Sequence, residues 1–336
     1  MKILFIGGTG NISAECAALL HERRHEIMVV SRGKSSVPAA YRAIHADRKD
    51  PAAMRAALAG VQPEVVINFL GYDLADVRND YELFRDTLQQ YLFISSATVY
   101  AKPPQKLPIT EDAPLGNAWW EYAQKKVECE QWLRQRHEET GFPVTIVRPS
   151  HTYSRHWIPN AISSSGYSFA ARLEQGKPVF VPDDGENPWT LTAATDFAMG
   201  LAGLVGRPET LGEAFHITSD EVLTWNQIYA EIAAALGIPA PEVIQVPTEF
   251  ICQTVPQFSG NLKGDKAHPG VFDNTKIKRF VPEFCCRKPF QVGIRESVAW
   301  LRAHPDQQNL NPTVDTVCEK VITAWRQTQQ QQQQQQ

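Results

Sequence analysis

Tyr122 and Lys126 stand four residues apart in Tyr122-Ala123-Gln124-Lys125-Lys126, a spacing that on a helix places both side chains on one face, one turn apart. A phenol at its ordinary pKa of about 10 is a poor base near neutrality. An ammonium beside it favours the phenolate and draws that value toward a working pH, so the pair can move a proton. Twenty-six residues before the tyrosine, Ser96 lies in Ser95-Ser96-Ala97-Thr98-Val99-Tyr100, directly after the apolar run Tyr91-Leu92-Phe93-Ile94. A strand at that run would bring the serine hydroxyl to a substrate oxygen as its proton leaves. Alone, a tyrosine and a lysine at this spacing are an ordinary surface pair. The strand end, the offset and a glycine turn upstream make the set specific, and Ser96, Tyr122 and Lys126 are the candidate catalytic residues. Thr98 and His151 are candidates for lining the substrate side, although His151 is equally well read as a structural histidine.

The glycine turn opens the chain. Lys2-Ile3-Leu4-Phe5-Ile6 reads as a strand and runs straight into Gly7-Gly8-Thr9-Gly10-Asn11-Ile12-Ser13. Ile12, Cys16, Leu19 and Leu20 then recur at helical spacing. A tight turn after a strand, and a close approach of backbone to a pyrophosphate, both need residues without a Cβ. The helix N-terminus then offers free N–H groups and the positive end of its dipole. Gly7, Gly10, Asn11 and Ile12 are therefore candidate cofactor contacts, with a plain glycine turn as the alternative. The next strand ends Val30-Ser31-Arg32-Gly33-Lys34, without the acid that accepts the ribose hydroxyls of NAD. Arg32 is placed to pair with a 2′-phosphate, which favours NADP over NAD, or else it is a solvated arginine in a turn.

The elements that must position these groups alternate short β-branched runs with helical stretches, the signature of a parallel sheet with crossover helices. Further strands are expected at Glu26–Ser31, Ala43–Ala46, Val65–Phe69 and Val144–Val147, and a helix at about Trp119 to Gln135. Beyond residue 150 the order changes. A helix near Tyr167 to Gln175, the run Pro178–Pro182 and helices at Trp225–Leu236 and Phe290–Ala303 suggest a second, mixed lobe. The expected fold class is α/β: a doubly wound parallel sheet over residues 1–150, rejoined by a segment at about 190–218. A smaller substrate lobe would comprise 151–189 and 219–305, followed by a helical region at 306–328. The closing glutamines, 329–336, cannot bury apolar surface and read as a disordered tail outside the fold.

A net charge of −4 offers no basic field to nucleic acid or to an anionic membrane. Six cysteines scattered without a C-x-x-C pair suit a reducing compartment, and no signal or spanning segment is visible, so a cytoplasmic location is expected. His151, His156 and His216 come without a carboxylate pattern, and no metal site is expected. Trp119 and Trp120 either floor the substrate site or pack the helix.

Taken together, the glycine turn, the Ser96 strand end and the Tyr122/Lys126 helix resemble the extended short-chain dehydrogenase/reductase superfamily, the NAD-dependent epimerase/dehydratase family, over about residues 1 to 305. The resemblance implies a Rossmann domain with a C-terminal substrate lobe. Gly7-x-x-Gly10-x-x-Ser13 is similar to that family's glycine motif, with Ser13 at the third glycine. Asp47 stands where the family's aspartate caps the adenine, and helix capping by Asp47 or Asp50 is the structural alternative. Arg148-Pro149-Ser150-His151-Thr152-Tyr153 resembles a segment whose proline, here Pro149, lies near the nicotinamide. Asp196 resembles the aspartate that ties the returning segment to the first domain. Departures are Ala123 and Ser154 at positions where glycine is common, Thr195 at one where histidine is, and Asn68-Phe69-Leu70-Gly71 at the end of the fourth strand. Only about twenty residues separate Gly71 from the next strand, which removes much of the helix on which related epimerases dimerise and implies a monomer or an atypical dimer. A chloroplast RNA-binding branch shows a similar shortening, so a non-catalytic, nucleotide-sensing or RNA-binding protein is the alternative. The resemblance implies an NAD(P)-dependent oxidoreductase or epimerase acting at a secondary alcohol or ketone of a sugar, nucleotide sugar or related polyol.

Overall fold

The computed structural model describes residues 1–33, 36–162 and 166–334. In chain order the first domain runs Lys2–Ile6 (β1), Ser13–Glu22 (α1), Glu26–Ser31 (β2), Arg42–His45 (β3), Pro51–Ala57 (α2), Val65–Asn68 (β4), Leu74–Phe84 (α3), Gln90–Ile94 (β5), Glu121–Thr140 (α4) and Val144–Pro149 (β6). The second half follows with His151–Tyr153 (β7), Ser168–Glu174 (α5), Val179–Pro182 (β8), Pro188–Trp189 (β9), Leu191–Ala193 (β10), Ala194–Leu204 (α6), Ala214–Ile217 (β11) and Leu223–Thr224 (β12). Then come Trp225–Leu236 (α7), Val243–Val246 (β13), Thr248–Thr254 (α8), Ser259–Asn261 (α9), Thr275–Phe280 (α10), Phe290–Ala303 (α11) and Pro312–Gln334 (α12).

Seven strands form one parallel sheet in the order β11-β6-β5-β4-β1-β2-β3. Its central strands are buried on both faces, which is why Val65-Val66-Ile67 and Tyr91-Leu92-Phe93-Ile94 are apolar without alternation. The register pairs Ile6 with both Val30 and Asn68, and Asn68 with Phe93. The strands therefore end together, and the chain order reverses between β1 and β4. In such sheets that switch point leaves a crevice beyond the strand ends. Helices α1 and α6 cover one face through Cys16, Leu20, Phe197 and Leu201. Helices α3 and α4 cover the other through Val77, Tyr81, Cys129 and Leu133. A separate core built on α5, α7, α11, α12 and the β8–β13 pair forms the second lobe. Strands β7 and β10 pair in parallel where the two regions meet, with His151 opposite Leu191.

Several boundaries differ from the sequence reading. Helix α4 runs five residues past Gln135, because Arg136 pairs with Glu139 at 2.5 Å and Gly141, at φ 72, supplies a left-handed end. Strand β3 begins one residue earlier than expected. The clearest correction concerns the glutamine tail, which the sequence reading places outside the fold as disordered. Residues 329–334 continue α12 as an exposed extension, while 335 and 336 fall outside the described residues. Adding a turn to an existing helix avoids the cost of nucleation, and glutamine is a good helix former. Among the described residues, no helix is long and apolar enough to cross a membrane.

Candidate active site

Two adjoining cavities open at the strand ends and share Ile12, Phe69, Tyr72 and Trp157. The larger, of about 670 Å³, is lined by Gly7, Gly10, Asn11, Ile12, Arg32 and Asp47, all residues expected there from sequence. Gly7 sits at φ 88, and a Cβ on it would lie 2.5 Å from Leu70 Cγ, so this turn admits only glycine without strain. Ser13 Oγ accepts the Gly10 N–H at 2.9 Å, a bond that a glycine at this position would lack. No side chain caps α1 at Ile12, and its Ala14 N–H bonds Gly10 O at 3.1 Å. Asn11 uses its side chain otherwise: it donates to Thr152 O at 3.3 Å and accepts from the Ser154 hydroxyl, tying the glycine loop to β7.

The cations of this cavity differ in what they are free to do. Arg48 is buried against Asp80 and Asn68, at 3.3 and 3.2 Å, and Lys49 binds Asp76 and Asp73 at 2.6 and 3.1 Å. Arg32 is exposed and makes no ion pair among the described residues. Asp47 receives only the local Lys49 N–H, at 2.9 Å, whereas Asp50 caps α2 through Ala52 and Ala53. A loop of glycines at a helix N-terminus, with the exposed Arg32 and Asp47 beside it, suits a dinucleotide.

The second cavity, of about 330 Å³, gathers Ser96, Thr98, Tyr122, Lys126, Pro149 and His151. Tyr122 occupies the first turn of α4 and Lys126 the next. Ser96 caps the short 3₁₀ turn Ala97–Val99 after β5, its Oγ accepting from Thr98 N at 3.2 Å and Thr98 Oγ1 at 2.9 Å. The Ser96 hydroxyl and the Tyr122 phenol line the same cavity, and the serine acts on the ionisation of the phenol. Burial pushes the Tyr122 phenol up to about 12, with Tyr72 adding to the rise and Ser96 opposing it. Lys126 is fully buried and donates to Gly71 O and Ile94 O, both at 2.8 Å. Burial lowers its pKa to about 8. The sequence reading has the ammonium drawing the phenol down. In this structure the ammonium faces two carbonyls, 5.8 Å from the Tyr122 ring centre, and burial governs both groups.

The remaining walls are aromatic: Trp120, Trp157, Trp189 and Phe272 join Tyr72 and Tyr122. Trp120 thus faces the site, its ring 5.0 Å from that of Tyr122, while Trp119 is exposed. His151 Nδ1 accepts from Trp189 Nε1 at 3.3 Å, which places the imidazole proton on Nε2. Burial, together with Lys266, keeps this ring neutral. Asp265 and Lys266 complete the wall and were not foreseen, since they lie some 140 residues beyond Tyr122 on a π-helical turn, Leu262–Lys266.

Pro149 is held from behind. Arg148 forms two bonds with Glu130, at 2.9 and 2.5 Å, and donates to Tyr100 OH at 2.9 Å. Tyr100 OH bonds His216 Nε2, and His216 Nδ1–H reaches Asp273 O at 3.1 Å. The chain of donors runs in one direction and keeps His216 neutral, its pKa lowered to about 3 chiefly by burial. Asp196 accepts the Lys288 N–H at 3.0 Å and so ties α6 to the segment leading into α11.

Comparison with known proteins agrees with this fold. A family profile described as the NAD dependent epimerase/dehydratase family matches residues 3–217. A 2'-dehydrokanamycin reductase of Streptomyces kanamyceticus is 27% identical over 286 residues, spanning 84% of this chain and 80% of that protein. A chloroplast stem-loop binding protein of 41 kDa from Arabidopsis thaliana is 27% identical over 74% of this chain and 67% of its own. In fold, the chain is similar to the UDP-glucose 4-epimerase of Thermus thermophilus, with a TM-score of 0.74 at 20% identity over 90% of this chain and all of that one.

Proposed function

The chain belongs to the NAD dependent epimerase/dehydratase family, and we propose that it is a catalytically active member that prefers NADP(H) and acts at a secondary alcohol or ketone carbon of a sugar-like substrate. The observation that carries this reading is that Ser96, Tyr122 and Lys126 line one cavity, which opens into the cavity of the glycine turn.

Gly7, Gly10 and the N-terminus of α1 would hold the pyrophosphate, Asp47 the adenine side and Arg32 the 2′-phosphate. A bound nicotinamide would give or take the hydride, and Pro149 lies in the wall on that side. The chain's own residues manage the proton. Ser96 holds the substrate oxygen through its hydroxyl. The Tyr122 hydroxyl, in the same cavity as Ser96, gives its proton to that oxygen during reduction and takes it back during oxidation. Burial keeps the phenol protonated, the form that serves as the acid in reduction. Lys126, buried beneath, offers positive charge to the phenolate and a donor to the cofactor ribose. Epimerisation uses the same groups twice. The aromatic walls suit the C–H faces of a sugar ring.

The test is a panel of sugars, keto-sugars and nucleotide sugars with NADPH and NADH, followed by absorbance of the reduced cofactor. Turnover with NADPH on a member of that panel supports the reading. No turnover with either cofactor, combined with binding of RNA, would replace it by the non-catalytic alternative.

A further inference from the structure

We propose that Tyr72 binds the cofactor's second ribose, the one that carries the nicotinamide, by donating its phenol O–H to a ribose hydroxyl. The inference rests on the reading above only in taking the glycine-turn cavity as the dinucleotide's.

Strand β4 ends at Asn68, beside β1, where the chain order of the sheet reverses. Four residues on, Tyr72 stands in the walls of both cavities. A dinucleotide with its pyrophosphate at the glycine turn and its reacting ring by Tyr122 has its second ribose between the two, at the junction. The residues that both cavities share are Ile12, Phe69, Tyr72 and Trp157. Ile12 and Phe69 bring no polar side chain, and Trp157 Nε1 has no accessible surface. Tyr72 is 46% exposed and brings the one hydroxyl of the four. Its backbone N–H is taken by Asp76 Oδ2 at 2.9 Å, and its hydroxyl has no hydrogen bond among the described residues.

The backbone that carries this phenol is fixed on both sides. Lys126 Nζ donates to Gly71 O at 2.8 Å just before it, and the Asp73–Asp76 capping box starts α3 just after it. A Cβ on Gly71 would lie 2.7 Å from Phe93 Cε2, so the chain leaves the sheet hard against β5. Partial burial raises the Tyr72 pKa, and the phenol keeps the proton it would donate.

The donors of Lys126 leave room for such a partner. An ammonium has three N–H groups, and Lys126 uses two of them on Gly71 O and Ile94 O. The remaining one can serve one ribose hydroxyl, whereas a ribose presents two. Tyr72, its ring centre 5.4 Å from Lys126 Nζ, stands where the other hydroxyl needs a donor. Left unmet, that hydroxyl would lose its water on binding without replacement.

Calorimetry on the full-length protein tests this with Tyr72→Phe, which keeps the ring beside Lys126 and removes only the hydroxyl. The probes are NADPH, then ADP-ribose 2′-phosphate, which lacks the nicotinamide, and 2′-phospho-ADP, which lacks the second ribose as well. Tyr72→Phe should weaken NADPH and ADP-ribose 2′-phosphate by at least about twofold and up to about tenfold, the worth of one hydrogen bond, and leave 2′-phospho-ADP at the wild-type affinity. The variant should unfold at the wild-type temperature, since this hydroxyl bonds nothing in the protein. NADH, ADP-ribose and ADP, titrated in parallel, should give the same pattern and free the result from the 2′-phosphate. A loss of less than about twofold for the dinucleotides overturns the proposal. So does an equal loss for 2′-phospho-ADP, which would place the contact on the phosphates, or a loss confined to the dinucleotides, which would place it on the nicotinamide. Each of these leaves the cofactor reading standing. A wild type that binds no dinucleotide overturns the cofactor reading, and this inference with it.

Discussion

Lowering the pH from 7 to 5 should cost the folded protein about 2 kcal/mol through His216 alone. The imidazole is fully buried, with Arg148 nearby and Nε2 bonded to Tyr100 OH, and its pKa falls to about 3. An unfolded histidine titrates at about 6.5, so below that pH the unfolded chain takes a proton that the folded chain refuses. Stability therefore falls as the pH drops below the unfolded value, and the loss stops growing only near the folded value of about 3. At pH 5 the gap is about 1.5 pH units, each worth about 1.36 kcal/mol, which gives the figure above. The assay is urea unfolding followed by tryptophan fluorescence at both pH values, for the wild type and for His216→Gln, which keeps an acceptor and a donor but does not titrate. The variant should be less stable at pH 7 yet lose about 2 kcal/mol less on acidification. His25, His151, His156 and His268 are also lowered, but their share is common to both proteins and cancels. If the two acid losses agree within about 0.5 kcal/mol, His216 is not held neutral and the donor chain from Arg148 is wrongly drawn.

Arg32→Ala should weaken NADPH binding about tenfold or more and leave NADH binding nearly unchanged, by calorimetry, whereas equal affinities in the wild type would remove the basis for an NADP preference. Gly7→Ala should lower stability by about 1–3 kcal/mol in urea unfolding, because its backbone is left-handed and its Cβ would meet Leu70, and should weaken binding of either cofactor. With α3 spanning only Leu74–Phe84, light scattering should find a monomer or a dimer paired elsewhere. A tight dimer with cross-links on α3 and α4 would contradict that expectation.

The parallel sheet was readable because central strands buried on both faces leave unbroken apolar runs, as in Val65-Val66-Ile67. The glycine turn and the one-turn spacing of Tyr122 and Lys126 were readable because each is a local geometric demand. The charge state of that pair was not. It depends on burial, which seats Lys126 against the carbonyls of Gly71 and Ile94 from 55 and 32 residues away. Asp265 and Lys266 escaped because a π-helical turn has no hydrophobic period to reveal it. Strand β13, Val243–Val246, escaped because it is half exposed and is defined only by its pairing with β8. Ser13 stands at the third glycine of the motif, yet its hydroxyl bonds Gly10 N, a role that emerges only once the turn is closed.

The most direct test of the account is the turnover of Tyr122→Phe on the substrate found in the cofactor panel. The substitution keeps the ring against Trp120 and removes only the hydroxyl that shares the cavity with Ser96. Turnover should fall by about 10²–10⁴-fold, the worth of a positioned acid/base, while cofactor affinity stays at the wild-type value. Wild-type turnover in Tyr122→Phe would show that this phenol moves no proton, and the catalytic assignment of the cavity would fall with it.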